Sequence, residues 1–202
     1  MDKKESSDST KRKLDLIVGF GAGATKFFGD VQDASDRANT HWLGNRIAYD
    51  VHLGINPSNS FMVNLNVIYG RLSGNENGFK LHRNFDTKMV LAGVNAEYNF
   101  AGLYKKKLPI VNPFINVGAY YSNYFSIRSD FFDRNGTQYQ YWSDGKIRDI
   151  PENAPNAGHA TKLSRDYKYE TLLVDKPVHS FTASAGLGLD LHLSRGFTVR
   201  FM

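Results

Sequence analysis

A two-residue hydrophobic period starts at Leu14 and is renewed in one segment after another. That period belongs to a β-strand whose two faces meet different surroundings, and it cannot serve an amphipathic helix with its period of about 3.6. In the first segment Leu14, Leu16, Val18, Phe20, Ala22 and Ala24 lie opposite Asp15, Gly19, Gly21, Gly23 and Thr25. The pattern returns at Ile47 to Ile55, Phe61 to Tyr69, Val90 to Phe100, Ile115 to Tyr121 and Phe181 to Leu193, and a seventh run begins at Phe197, Val199 and Phe201. Segments of about nine to fifteen residues exceed the common globular strand of about five or six and suit a tilted bilayer crossing.

The connections alternate too. Short turns (Asn56 to Ser60, Ser194 to Gly196) and a moderate link (Ala101 to Asn112) interleave with long polar stretches near 30–45, 71–87 and 125–177. Short turns on one side and long loops on the other describe an outer-membrane barrel. The expected fold is therefore all-β, an antiparallel up-and-down transmembrane β-barrel. Its tail covers residues 1–13 and its barrel 14–202, with a long extracellular loop at about 125–177. An even strand count with both ends in the periplasm predicts eight strands, the given sequence stopping within the seventh.

Composition narrows function. No cysteine is present, which removes disulfides, zinc ribbons, iron–sulfur clusters and thiol nucleophiles. The net charge of +5 is spread along the chain, with compact runs only at Lys11 to Lys13 and Lys105 to Lys107, so no nucleic-acid partner is expected. No apolar run reaches the length of a membrane helix, and the polar start has no apolar signal core, so the signal peptide of an exported protein is not in this chain.

Alternation alone cannot separate a membrane barrel from a soluble lipocalin-like ligand-binding barrel, because the two reverse inside and outside. The polar face decides for the membrane. It is rich in Gly, Ser, Thr and Asn and poor in the Lys and Glu that solubilise an exposed strand. Aromatics at strand ends (Phe27, Phe28, Tyr69, Tyr98, Phe100, Phe114, Tyr120, Tyr121, Tyr124, Phe125) predict girdles at the membrane interfaces.

Phe27-Phe28-Gly29-Asp30, Tyr69-Gly70-Arg71, Arg83-Asn84-Phe85, Glu97-Tyr98-Asn99-Phe100 and Pro113 to Gly118 together resemble the Bacteroidota-type outer-membrane β-barrel proteins. These belong with the small OmpA/OmpX-like barrels, and the PorG-like barrels of the type IX secretion and gliding machinery are the nearest in pattern. The resemblance covers roughly residues 14–125 and 178–202, implies an envelope role, and carries no catalytic residues. The insertion at 125–177 departs from it.

Gly19-Phe20-Gly21-Ala22-Gly23 has the look of a phosphate loop, but such a loop turns into a helix and here the alternation continues. These glycines read as small lumen-side residues that leave room for larger neighbours. Strand direction then places Asp15, His52, Asn64, Glu97, Asn99, Asn116, Asp190, His192 and Arg200 in one polar cluster in the periplasmic half of the lumen. An eight-strand barrel is filled by side chains, so the cluster is expected to pair acids with Arg200 and the histidines as a structural plug. The competing reading is a metal or catalytic site around Asp190 and His192, an i, i+2 pair.

In the long loop, Asp133-Arg134-Asn135-Gly136 separates two β-prone runs and predicts a hairpin above the membrane. Tyr139, Tyr141, Trp142, Asp144, Arg148, Arg165, Tyr167 and Tyr169 are the residue types that anchor interfaces, and form the candidate partner surface, the alternative being that the loop packs over the barrel mouth. Arg71, Lys80, His82 and Arg83, on another long loop, are placed to meet lipid phosphates. The expectation is a non-catalytic outer-membrane anchor or scaffold, a monomeric barrel or a subunit of an envelope complex. It contacts outer-membrane lipid and a protein partner at its loops and needs no cofactor or metal. A barrel enzyme is the alternative from another class.

Overall fold

The computed structural model describes residues 15–25, 46–58, 60–75, 83–100, 110–194 and 196–202. The tail at 1–13, Phe27 and Phe28, the stretch 30–45, Lys80, His82 and most of the 101–112 link lie outside them.

Long strands follow one another as a meander. β1 (Asp15–Thr25), β2 (Arg46–Ser58), β3 (Phe61–Asn75), β4 (Asn84–Asn99) and β5 (Val111–Ser129) pair in sequence. After the long insertion, which contributes β6 (Gln140–Tyr141), β7 (Ile147–Arg148), β8 (Lys162–Leu163) and β9 (Thr171–Val174), the meander resumes with β10 (Val178–Ser194) on β5 and β11 (Phe197–Phe201) on β10. All pairings are antiparallel, and the sheet curls as a half-barrel, the all-β barrel architecture the alternation predicts.

Several strands outrun their apolar stretches. β3 and β4 stay paired from Phe61↔Tyr98 to Asn75↔Asn84, so much of the loop expected at 71–87 is ladder. Arg71 accordingly lies on a strand rather than a loop. Backbone hydrogen bonding does not require an apolar face, so a hairpin continues in register where its side chains have become polar. At the other end β2 runs through Asn56 and Pro57 to Ser58, where a turn was expected. The ladder shifts there between Ile55 and Ser58, as suits a proline that lacks an N–H to donate.

The two faces are inverted relative to a water-soluble protein. Asn64, Asn66, Asn95, Glu97, Asn112, Asn116, Ser122 and Asp190 are buried on the concave side, while Leu16, Phe20, Leu65, Val117, Phe181 and Leu187 stand exposed outside. The ladders sort the outward residues into rows. One row holds Tyr49, Tyr69, Val90, Asn123 and His179; lower rows hold Phe20, Val51, Val67, Ala92, Tyr121 and Phe181, then Val18, Leu53, Leu65, Val94, Ala119 and Ala183. Phe61, Tyr98, Ile115 and Leu187 form a row near the short-turn end, with Phe100 edge-on to Tyr98 at 5.3 Å. From Phe181 to Leu191 the belt spans about 33 Å along the strand, or about 25 Å along the axis at a tilt of about 40°. Three expected girdle residues are not there: Phe114, Tyr120 and Tyr124 stand at even positions on β5, which face inward, and the first two are buried.

Candidate functional site: the lumen cluster and the loop over the mouth

At the short-turn end the curl brings β4, β10 and β11 within reach of one guanidinium. Arg200 on β11 donates to both oxygens of Glu97 (Nη1–Oε2 2.6 Å, Nη2–Oε1 2.8 Å) and to both of Asp190 (Nε–Oδ1 2.8 Å, Nη2–Oδ2 2.8 Å). Glu97 and Asp190 are 1% and 3% exposed. The planar fork of arginine suits this double bidentate contact, and its charge prevents two carboxylates from sharing a lumen unopposed. Beneath it the Phe114 ring lies 4.3 Å from the guanidinium carbon, a cation–π contact.

Glycine makes the space for this arrangement. A Cβ on Gly188 would run into the Phe114 ring and the Phe201 carbonyl, and one on Gly19 would overlap the His52 imidazole. Gly19 thus does what the first-strand glycines are expected to do, whereas Gly21 meets only Asp50 and Gly23 faces open space. Gly188→Val is expected to destabilise the protein by about 1–3 kcal/mol through overpacking. Urea unfolding in vesicles, compared with Gly23→Val, measures it.

The other residues assigned to one cluster divide among several. His52 bonds Asp50 (2.7 Å), which also accepts from Asn66 at 3.3 Å, so an unassigned carboxylate holds this histidine. Asn99 accepts from Asn112, and Asn116 contacts the Met202 sulfur at 3.3 Å. Asn64 is buried against Gly54. His192 bonds Thr198 at 2.9 Å rather than Asp190, and Asp15 is exposed at the end of β1. The single expected cluster is corrected to a three-residue core with satellites, because the inward residues occupy successive levels of the ladders. Among the described residues no group of three or more His, Cys, Asp or Glu is placed to hold a metal ion.

A second charged cluster, unforeseen in the sequence, occupies the opposite end. Asp86 on β4 meets Arg46 (3.1 Å) and Arg71, while the Thr25 hydroxyl donates to the carbonyls of Arg46 (3.1 Å) and Arg71 (2.5 Å). Tyr169 from the long insertion lies under Arg46, 5.6 Å from ring centre to guanidinium carbon. In the sequence it shows only as an acid and a cation, Asp86 and Arg71, within the polar stretch at 71–87.

The long insertion folds back on itself and on the strand ends. The hairpin forms where Asn-Gly predicts it: Phe132 bridges Gln138, the Gly136 amide donates to the Asp133 carbonyl at 3.0 Å, and Gly136 has φ +81°. β6, β7 and β8 make a small 3-stranded sheet, and β9 pairs with the far end of β5. Asp130, 0% exposed, joins the insertion to the barrel. Its amide and carbonyl bond the Asn84 side chain, and its carboxylate accepts from the Tyr167 amide at 3.0 Å. Burial pushes that carboxyl above the usual range, against the pull of the Tyr167 amide.

Most of the proposed partner anchors are spent inside this structure. The Tyr139 hydroxyl accepts from the Asp166 amide (3.1 Å) and the Tyr141 hydroxyl from Arg165 (2.9 Å), whose guanidinium also reaches Asn75. Trp142 donates to the Ile150 carbonyl (2.8 Å) beneath the Arg148 guanidinium, which chelates Asp144 at 2.8 and 3.0 Å. Tyr139 and Tyr169 are buried, and only Tyr167 among the aromatics named stands out, 52% exposed. Residue type indicates a capacity for anchoring, and here the insertion anchors itself.

The Arg148 hydrogen bonds hold the Asp144 carboxyl down to about 2. A carboxyl lowered by folding contributes stability above its ordinary value of 3.8 and loses it as pH falls through that value towards 2. In a Trp42→Phe background, Trp142 fluorescence is expected to stay constant from pH 7 to about 4.5 and to change below, and Asp144→Asn to abolish that change.

The fold and its polarity define a curled antiparallel barrel sheet with a polar lumen, an apolar exterior and an ordered cap. No family model, curated protein or solved structure matches the chain.

Proposed function

We propose that this chain is an outer-membrane β-barrel that serves as an anchor or scaffold and acts through the folded insertion at its outer mouth, without catalysis. The observation that carries the reading is the inverted polarity: exposed Leu, Val, Ile and Phe around the outside and buried Asn, Glu and Asp within. A lipocalin-like barrel needs the reverse. A belt of about 25 Å, with one aromatic row along its upper edge and a second within its lower half, matches the hydrocarbon band of bacterial outer-membrane barrels. The lumen carboxylates are engaged by Arg200, which suits a plug better than a hydrolytic centre.

In this reading Tyr167, Leu172 and Leu173, exposed on the insertion, form the surface offered to a protein of the envelope. Association with a secretion or gliding complex rests on the family resemblance. The test is refolding from urea. The chain should become β-rich and monodisperse when diluted into phosphatidylcholine vesicles or detergent micelles. A β-rich, monodisperse monomer in plain buffer would overturn the reading.

A further inference from the structure

One outward step beyond the Tyr49–Tyr69 row, towards the loop end, the ladders place Arg71 directly opposite Lys88, and Lys88 opposite Phe125. Both cations are exposed. Like charges directly opposite on neighbouring strands weaken a sheet unless a counter-charge intervenes. The carboxylate at hand, Asp86, is 3% exposed and already meets both Arg46 and Arg71, leaving three cations to one acid. Lys88 meets no carboxylate among the described residues.

The position of the pair matters as much as its charge. Below it lie the aromatic row and the apolar belt, so in a bilayer these two side chains reach the level just outside the hydrocarbon, where interfacial aromatics end and headgroups begin. We propose that Arg71 and Lys88 clasp the phosphate of an anionic lipid headgroup in the outer leaflet, an inference that rests on the bilayer placement above. Arginine supplies a fork of N–H donors and lysine a mobile point charge, a combination suited to phosphate oxygens approached from the side. Phe125 beside Lys88 gives the lipid an apolar contact next to its headgroup.

The experiment uses the whole chain in phosphatidylcholine bilayers with trace spin-labelled phosphatidylglycerol or spin-labelled phosphatidylcholine, and reads the motionally restricted fraction of each by electron paramagnetic resonance. The wild type should prefer phosphatidylglycerol. Lys88→Gln, which leaves the Arg71–Asp86 pair intact, should reduce that preference about fivefold, the worth of roughly one surface cation. Arg71→Gln should act in the same direction, and Lys176→Gln, outside the row, should leave it unchanged. Equal restriction of the two lipids by wild type, or a preference that survives both substitutions, would overturn the clasp while leaving the barrel placement intact. Displacement of the labelled lipid by millimolar inorganic phosphate would also overturn it, in favour of a free-phosphate site. Restriction of neither lipid would mean that the chain had not entered the bilayer, defeating that placement and the clasp with it.

Discussion

Replacing Arg200 with methionine is expected to lower the unfolding free energy by about 3–5 kcal/mol, the cost of leaving buried charge without its partner. The guanidinium makes four hydrogen bonds to two carboxylates that are almost fully enclosed. Without it Glu97 and Asp190 must repel one another, take up protons or draw in water. Adding Glu97→Gln and Asp190→Asn to Arg200→Met should recover most of the loss, because a neutral lumen no longer needs a cation. Urea titrations in vesicles, followed by circular dichroism, measure both steps. A loss that the triple variant does not recover would mean that Arg200 contributes chiefly by packing on Phe114.

The second large effect belongs to the outside of the sheet. Leu65 lies in a middle row of the belt and Tyr69 in its upper aromatic row. In a bilayer, arginine costs about 2–4 kcal/mol at the midplane and about 0–1 kcal/mol near the interface. Leu65→Arg should thus be far more damaging than Tyr69→Arg, although the two side chains are similarly exposed, 57% and 49%. In water the two substitutions would both be mild, so the difference between them measures the lipid rather than the fold.

These variants also show what was legible in the sequence. The period of 2 carries strand identity and face, so the meander and the inward setting of Glu97, Asp190 and Arg200 follow from the runs Val90 to Phe100, Leu187 to Leu193 and Phe197 to Phe201 alone. Strand ends do not, because the apolar pattern stops where a membrane would stop while the ladder runs on, as from Arg71 to Asn75. Inward parity also does not say who meets whom. His52 finds Asp50 two residues away and His192 finds Thr198 across a turn, both decided by register and side-chain reach. The aromatic and arginine content of the insertion was plain, but whether it faces a partner or itself depends on contacts such as Tyr139 with Asp166, distant in sequence.

In the proposed outer-membrane barrel the apolar outer face is expected to meet lipid and the polar inner face is not. Because the chain has no cysteine, a single cysteine introduced at Leu65 or at its neighbour Asn66 carries a fluorescent label at one known position. In phosphatidylcholine vesicles containing lipids spin-labelled deep in their acyl chains, the label at 65 should be strongly quenched and the label at 66 much less, while aqueous iodide should leave the label at 65 untouched. Strong iodide quenching at 65, with no quenching by the lipid spin label, would contradict the account.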